Sequence, residues 1–277
     1  MRKAGYILVI LASIFQAHAW AGDGKILATP GVAQAEGSGG GGLVPWAQLA
    51  GYAASDEIAL NGFCSRAQVS DYRLDVCGAQ LNLYDRVELS FARQKFDVPA
   101  LSTQLEQDII GLKVRLYGDI VYSAWPQISA GWQHKSLKDG AVANLLGAED
   151  TSGDDIYLAA SKLHLGALQG YNLLWNVTAR YTAANEMGLL GYGSASEGKS
   201  LQLESSAAVF INRHWAVGVE YRQKPDNLGL KEDDWADVFV AWFPNKSFSV
   251  TAAYVDLGTI AGAPDQTGWY LSFVGSL

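Results

Sequence analysis

Few side chains in this chain are spaced for bond-making chemistry. A serine hydrolase needs a histidine within hydrogen-bond reach of its serine, and a third group to orient that histidine. Beyond residue 20 the histidines are His134, His164 and His214. His164 follows Ser161, but no segment presents a Ser/His pair on its outer face with an Asn partner. The sequence offers no catalytic residue, and the expectation is a protein that is not an enzyme. Carboxylates gather at Glu149, Asp150, Asp154 and Asp155, and again at Asp226, Glu232, Asp233 and Asp234. Hard cations take such ligands, yet the spacing matches no calcium loop, so these read as solvated acidic loops. No metal and no cofactor are expected. Cys64 and Cys77 could form one disulfide in an exported chain. On one extended segment they could not meet, so a bridge requires Cys64 in a loop that folds back.

The ends say where the chain goes. Arg2 and Lys3 precede an apolar run from Tyr6 to Phe15, and AHA and AWA follow as small-x-small cleavage patterns. Residues 1–21 read as a secretory signal peptide, too short in its core to span a bilayer comfortably. Removing it takes the formal charge from −8 to about −10, which excludes nucleic-acid binding by bulk charge. Charged residues make up 17% of the chain, where a soluble domain carries about a quarter. With 30 Gly, 13 Tyr and 9 Trp, that composition suits a membrane β-barrel.

Residues 22–42 form a glycine-rich segment ending EGSGGGG, a flexible lead-in, a plug, or a segment lying in a lumen. From 43 to 277 the pattern predicts one barrel. Twelve strands are expected at 43–53, 68–82, 87–97, 107–117, 120–133, 154–165, 169–182, 200–211, 215–223, 234–243, 248–256 and 267–276. Tight joints such as Tyr84-Asp85-Arg86 and Asn212-Arg213-His214 alternate with longer polar loops at 54–67, 98–106, 134–153, 183–199, 224–233 and 257–266. Short turns on one side, long loops on the other and an even strand count are the habit of outer-membrane barrels. Both termini then fall on the periplasmic side. The fold class is all-β, a transmembrane antiparallel barrel.

Within strands, apolar residues take one face and charges the other. Val87, Leu89 and Phe91 read as lipid-facing. Arg93 and Lys95 share their parity, so they must lie at the rim or follow a bulge. The expected lumen-lining residues are Arg73, Asp75, Glu88, Lys113, Arg115, Lys162, Arg180, Glu204, Glu220, Arg222 and Asp237. A bulge near Gly78 is needed to keep Arg73 and Asp75 inside. Such charges must pair across strands or meet water. The expected function is passive passage of small solutes through a polar lumen. The alternatives are a sealed barrel serving as a structural or partner-binding scaffold, and an outer-membrane lipid hydrolase. The expected partners are outer-membrane lipids and lipopolysaccharide; the oligomeric state is open.

The last strand, TGWYLSFVGSL, resembles the closing strand of outer-membrane barrels, with Leu in place of the usual terminal Phe. The chain also resembles the proteobacterial DUF3034 family. The resemblance rests on EGSGGGGLVPWAQLAGYAASDEI at 36–58, LYDRVELSFARQKFDV at 83–98, DIIGLKVRLYGD at 108–119 and PQISAGWQHK at 126–135. It implies a bacterial envelope protein and transfers no functional residues.

Overall fold

The computed structural model describes residues 24–277; the expected signal peptide at 1–21 lies outside them. A short hairpin comes first, β1 (Val32–Ala33) and β2 (Gly39–Gly40). Twelve longer strands follow: β3 (Ile58–Val69), β4 (Arg73–Leu83), β5 (Val87–Val98), β6 (Thr103–Tyr117), β7 (Gln127–Leu137), β8 (Ser152–Leu168), β9 (Tyr171–Thr182), β10 (Ser200–Asn212), β11 (Trp215–Arg222), β12 (Trp235–Asn245), β13 (Phe248–Asp256) and β14 (Thr267–Ser276). Each pairs antiparallel with the next, and β14 closes on β3 with Tyr270 opposite Ala67. Closure leaves no unpaired edge for lipid to meet. A short helix, α1 (Ala141–Leu146), sits in the loop before β8.

Two ends are distinct. At the turn end lie 84–86, 118–126, 169–170, 213–214 and 246–247, together with the approach to β3 and the last residue. Leu60 and Leu277 exchange backbone hydrogen bonds of 3.1 and 2.8 Å there. At the loop end lie 70–72, 99–102, 138–151, 183–199, 223–234 and 257–266.

The strand count is as expected, but the first strand is not. Residues 43–53 are no wall strand. The wall begins at Ile58, inside what reads as a loop, and Ser70–Tyr72 makes a turn within the expected strand 68–82. Cys64 therefore lies on β3, directly opposite Cys77 on β4, and the two form a disulfide without any folded-back loop. The expected strand 120–133 begins only at Gln127, because 118–126, which includes Pro126, is an irregular connection.

Outward rows are apolar. Val219, Val238, Leu203 and Tyr254 are each about half exposed or more on the outer surface. On β9 to β14 aromatic residues mark two levels. Tyr171, Trp215, Trp242 and Phe248 lie toward the turn end, and Tyr181, Tyr221, Tyr254 and Trp269 toward the loop end. Such girdles sit at headgroup depth in outer-membrane barrels. On β3 to β6 the loop-end girdle is replaced by a ladder of ion pairs. Arg66 bonds Asp75 at 2.5 Å, Arg93 bonds Asp108 at 2.7 Å, Lys95 meets Glu106 at 3.0 Å, and Arg73 pairs with Asp97. Arg93 and Lys95 thus stay on the outer face, at the rim, with no bulge on β5.

Candidate functional site

The lumen is filled by the chain's own N-terminal segment. Every residue from 32 to 53 is buried. Gln34, Glu36 and Ser38 follow β1, and the backbone returns through Gly39–Gly42 to Leu43 and Trp46. The wall holds this segment with charged and amide side chains aimed at its backbone. Gln80 donates to the Gly37 carbonyl at 2.9 Å, Gln94 to Ala35 at 2.9 Å and Asn82 to Ala50 at 2.8 Å. Thr178 donates to Pro45 at 2.7 Å, and Gln127 and Ser129 both reach the Ala47 carbonyl at 2.6 Å.

Three charged centres do most of this holding. At the first, Glu36 is fully buried among Arg222 at 2.7 Å, Arg180 at 3.2 Å and Lys135. Asp155 meets Lys135 at 2.6 Å and Arg180 at 3.2 Å, and Glu204 meets Arg180 at 2.6 Å. Three carboxylates and three cations balance, and one carboxylate comes from the segment rather than the wall. At the second, Glu88 accepts from the Gly39 and Ala50 amides at 2.9 and 2.7 Å. Lys113 donates to the Gly39 and Gln48 carbonyls at 2.7 and 2.8 Å and lies 3.2 Å from Glu88. At the third, Glu220 accepts from the Leu43 amide at 2.8 Å and from Ser206 at 2.7 Å, with the Trp46 indole 3.3 Å away.

The glycines make this approach possible. A Cβ on Gly41 would stand 1.8 Å from a Glu220 carboxylate oxygen, and one on Gly39 would stand 2.9 Å from Glu88. At these two positions the backbone lies so close to the carboxylates that a side chain would not fit.

Of the expected lumen residues, Arg180, Glu204 and Arg222 meet at the first centre, Glu88 and Lys113 at the second, and Glu220 at the third. Asp237 is buried opposite Glu220, and one of its oxygens has no partner among the described residues. Arg115 sits at the turn-end mouth, 3.0 Å from Asp119 and paired with Asp85. Three residues lie elsewhere. Arg73 and Asp75 face outward in the ion-pair ladder, because β4 keeps its register through Gly78 without the bulge that would turn them in. Lys162 shares the parity of outward Leu158, and its ammonium is capped by the carbonyls of Asp119, Val121 and Ser123 in the 118–126 connection. Glu36, Lys135 and Asp155 were not among the expected residues. Asp155 reads as part of an acidic loop until β8 is seen to begin at Ser152, and β7 extends past Lys135 to Leu137. Glu36 had a usable signal: it is the one charged residue between Lys25 and Asp56.

The lumen is not uniformly polar. Toward the loop end, Val69, Tyr72, Leu74, Phe96, Trp235 and Val255 turn inward and form an apolar wall. The 183–199 loop folds down over it, with Asn185, Glu186 and Met187 buried. Glu186 and Met187 have φ of 45° and 59°, a left-handed conformation that side chains seldom adopt. Lys224 pins the loop, 2.5 Å from Glu186, 2.9 Å from Glu232 and 3.1 Å from the Thr259 carbonyl.

Burial pushes the Glu186 carboxyl well above the usual carboxylate range, and the neighbouring Glu232 adds to this against the pull of Lys224. A raised folded pKa means the group supports the closed loop fully below the ordinary carboxylate pKa. That support is lost as pH rises through the raised value. Lys224, Glu232 and Tyr72 are the charged or titratable groups around it. Hydrogen exchange of amides 185–191, corrected for intrinsic rate, should therefore accelerate with rising pH. Glu186→Gln should flatten that dependence; parallel curves for the two proteins would contradict the assignment.

The three histidines among the described residues serve locally. His134 Nδ1 lies 2.9 Å from Asp154, His164 accepts from the Trp175 indole at 3.0 Å, and His214 lies 2.7 Å from the Phe243 carbonyl.

Among solved structures, the chain is similar to the KdgM porin, with a TM-score of 0.51 at 10% identity, covering 79% of this chain and 99% of that one. It is similar to the same porin in complex with disordered oligogalacturonate, with a TM-score of 0.50 at 9% identity over 79% and 99% of the two chains. At such identity the likeness is one of fold alone, a closed antiparallel β-barrel. No curated protein matches the sequence. The profile described as "Protein of unknown function (DUF3034)" matches residues 29–274, from the lumen segment through β14, and the chain belongs to that family.

Proposed function

We propose that the protein is an outer-membrane channel held shut by its own N-terminal segment, passing small solutes when that segment withdraws. The turn end faces the periplasm, so the segment enters the lumen from the periplasmic side. One observation carries the reading: outside the apolar patch near the loop end, the wall binds the segment's backbone through buried charged, amide and hydroxyl groups. Replacing buried ion pairs by apolar residues is often neutral or stabilising. A barrel that needed only to be sealed would gain nothing from Lys113, Glu88, Lys135, Arg180 and Glu204. A channel wall does need them, because with the segment gone those side chains face water and line a hydrated path. Lipopolysaccharide and outer-membrane lipids are the proposed surroundings, with the ion-pair ladder on β3 to β6 level with headgroup phosphates.

The rival reading is a permanently sealed scaffold, favoured by how completely Glu36, Glu88 and Glu220 are satisfied. Ser38 separates the two. It is 1% exposed, so a cysteine there can react only when the segment leaves its seat. Ser38→Cys should be labelled slowly by a small methanethiosulfonate reagent in intact cells, and several-fold faster when Glu36→Gln is added. Complete protection in both would favour the sealed scaffold.

A further inference from the structure

Glu36 sits in a carboxylate seat that the wall builds almost alone. Arg222 grips it as a fork, with Nη1 2.7 Å from Oε2 and Nη2 3.1 Å from Oε1. Arg180 lies 3.2 Å from Oε2, and Lys135 pairs with Oε1. Only Gln34, which donates to Oε2 at 2.6 Å, belongs to the segment. Two parallel N–H donors from one guanidinium match the planar pair of carboxylate oxygens. Each cation also has a second hold on the wall. Arg180 bonds Glu204 at 2.6 Å and Gln133 at 3.0 Å, and lies 5.5 Å from the centre of the Tyr157 ring. Lys135 meets Asp155 at 2.6 Å, and Arg222 lies 5.6 Å from the centre of the Trp235 ring. The three cations therefore keep their places when the segment leaves, but their charges no longer balance. Lys135, Arg180 and Arg222 then face Asp155 and Glu204 alone, three positive charges against two negative. Glu220, the next inward residue on β11, bonds Ser206 at 2.7 Å and forms no ion pair with these cations among the described residues. Beside the seat, Gln94 and Gln133 donate to the Ala35 and Glu36 carbonyls at 2.9 and 3.3 Å.

We propose that this seat is a binding site for the carboxylate of a small monoanionic solute, and that Glu36 occupies it as a tethered stand-in while the channel is shut. The proposal names the solute class for the channel reading above and rests on that reading for its role in passage. One negative charge is what the vacated seat lacks. A monocarboxylate restores the balance and accepts the Arg222 fork. A neutral amide of the same shape brings no charge, and a cation is repelled. A charge cluster left without one of its members is strongly destabilised, because the remaining charges are poorly solvated; an exposed ion pair carries no such penalty. The Gln94 and Gln133 amides, freed from the segment's carbonyls, are placed to donate to oxygens next to the solute's carboxylate. Solute and Glu36 contend for the same three cations, so a bound solute keeps the segment from returning to its seat.

The test is binding of carboxyl-labelled acetate to the full-length protein in detergent, at neutral pH and constant ionic strength, followed by the line width of its carboxyl carbon resonance. Glu36→Ala removes the side-chain Cγ and the carboxylate, which together are the heavy atoms of acetate, and so empties the seat while leaving the wall intact. Adding Arg222→Ala removes the fork and the surplus charge. Heat-modifiable gel migration checks that each barrel is folded. Saturable broadening is expected for Glu36→Ala, undisturbed by excess acetamide. Affinity at least ten-fold weaker is expected for the parent, whose seat is filled, and for the doubly substituted protein. Equal responses from all the folded proteins would mean association with micelles or exposed cations only and would overturn the site, as would no broadening by Glu36→Ala. Should the doubly substituted protein fail to fold, Glu36→Ala against the parent decides alone. The binding assay makes no use of conduction, so loss of the site leaves the channel reading standing, and a silent channel leaves the site standing.

Discussion

Glu36→Ala should release the N-terminal segment from the lumen. Removing one member of a buried charge cluster costs about 3–5 kcal/mol, because the partners stay buried and uncompensated. Here Lys135, Arg180 and Arg222 would share two carboxylates, Asp155 and Glu204, where they now share three. The contacts most affected are those of the seat itself: Arg222 bonds both Glu36 and the Leu43 carbonyl, so one substitution loosens two points of the segment. Limited proteolysis within residues 24–57 should become rapid while the barrel remains heat-modifiable. Glu36→Gln keeps an acceptor and should lie between parent and Ala. By contrast, Arg66→Ala in the exposed ladder should cost no more than about 1 kcal/mol. Equal protease protection for Glu36→Ala and the parent would show that the cluster does not hold the segment.

Gly41→Val should have a comparable effect by a different route. Its Cβ would lie 1.8 Å from a Glu220 oxygen and 2.4 Å from the carboxyl carbon. Either the segment lifts or Glu220 turns away. Overpacking of this kind costs roughly 1–3 kcal/mol. Turning Glu220 aside also strips the Leu43 amide of its acceptor, an unpaired buried group worth about another 1–3 kcal/mol. Gly62 supplies the control, since a Cβ there meets nothing within 4 Å and it lies on the outer face. Gly62→Ala should leave segment protection unchanged, while Gly41→Val should abolish it. Unchanged protection in Gly41→Val would mean that the glycine run is not a fitted notch.

Alternation along Leu173, Trp175 and Val177, or along Trp215, Val217 and Val219, reveals a lipid-facing row because lipid is uniform over those strands. The same rule misplaces Tyr72, Leu74 and Val76. They form an apolar row, but it points inward against the segment, while Arg73 and Asp75 face out above the apolar band. A rule of apolar outside and charged inside holds only at membrane depth and only where the strand faces polar partners in the lumen. Residues 43–53 look like a strand for a related reason. Leu43, Trp46 and Leu49 are apolar because they pack inside the barrel, and periodicity does not say which wall a residue meets. Lys162 was beyond reach because its partners are backbone carbonyls of an irregular turn. Pairing of Cys64 with Cys77 required the turn at Ser70–Tyr72, and Asp71 there carried only a weak turn signal. Glu36 was legible as an isolated charge, but its three partners come from β7, β9 and β11, which only closure brings together.

Single-channel recording in planar bilayers tests the central claim most directly. Full-length protein and a variant lacking residues 24–53 would be compared at equal amounts, each confirmed as a folded barrel by heat-modifiable migration. The account predicts that the full-length protein is closed most of the time with brief openings, and that the shortened protein gives steady stepwise currents. Silence from a folded barrel without its segment, or equal conduction by the two proteins, would contradict it.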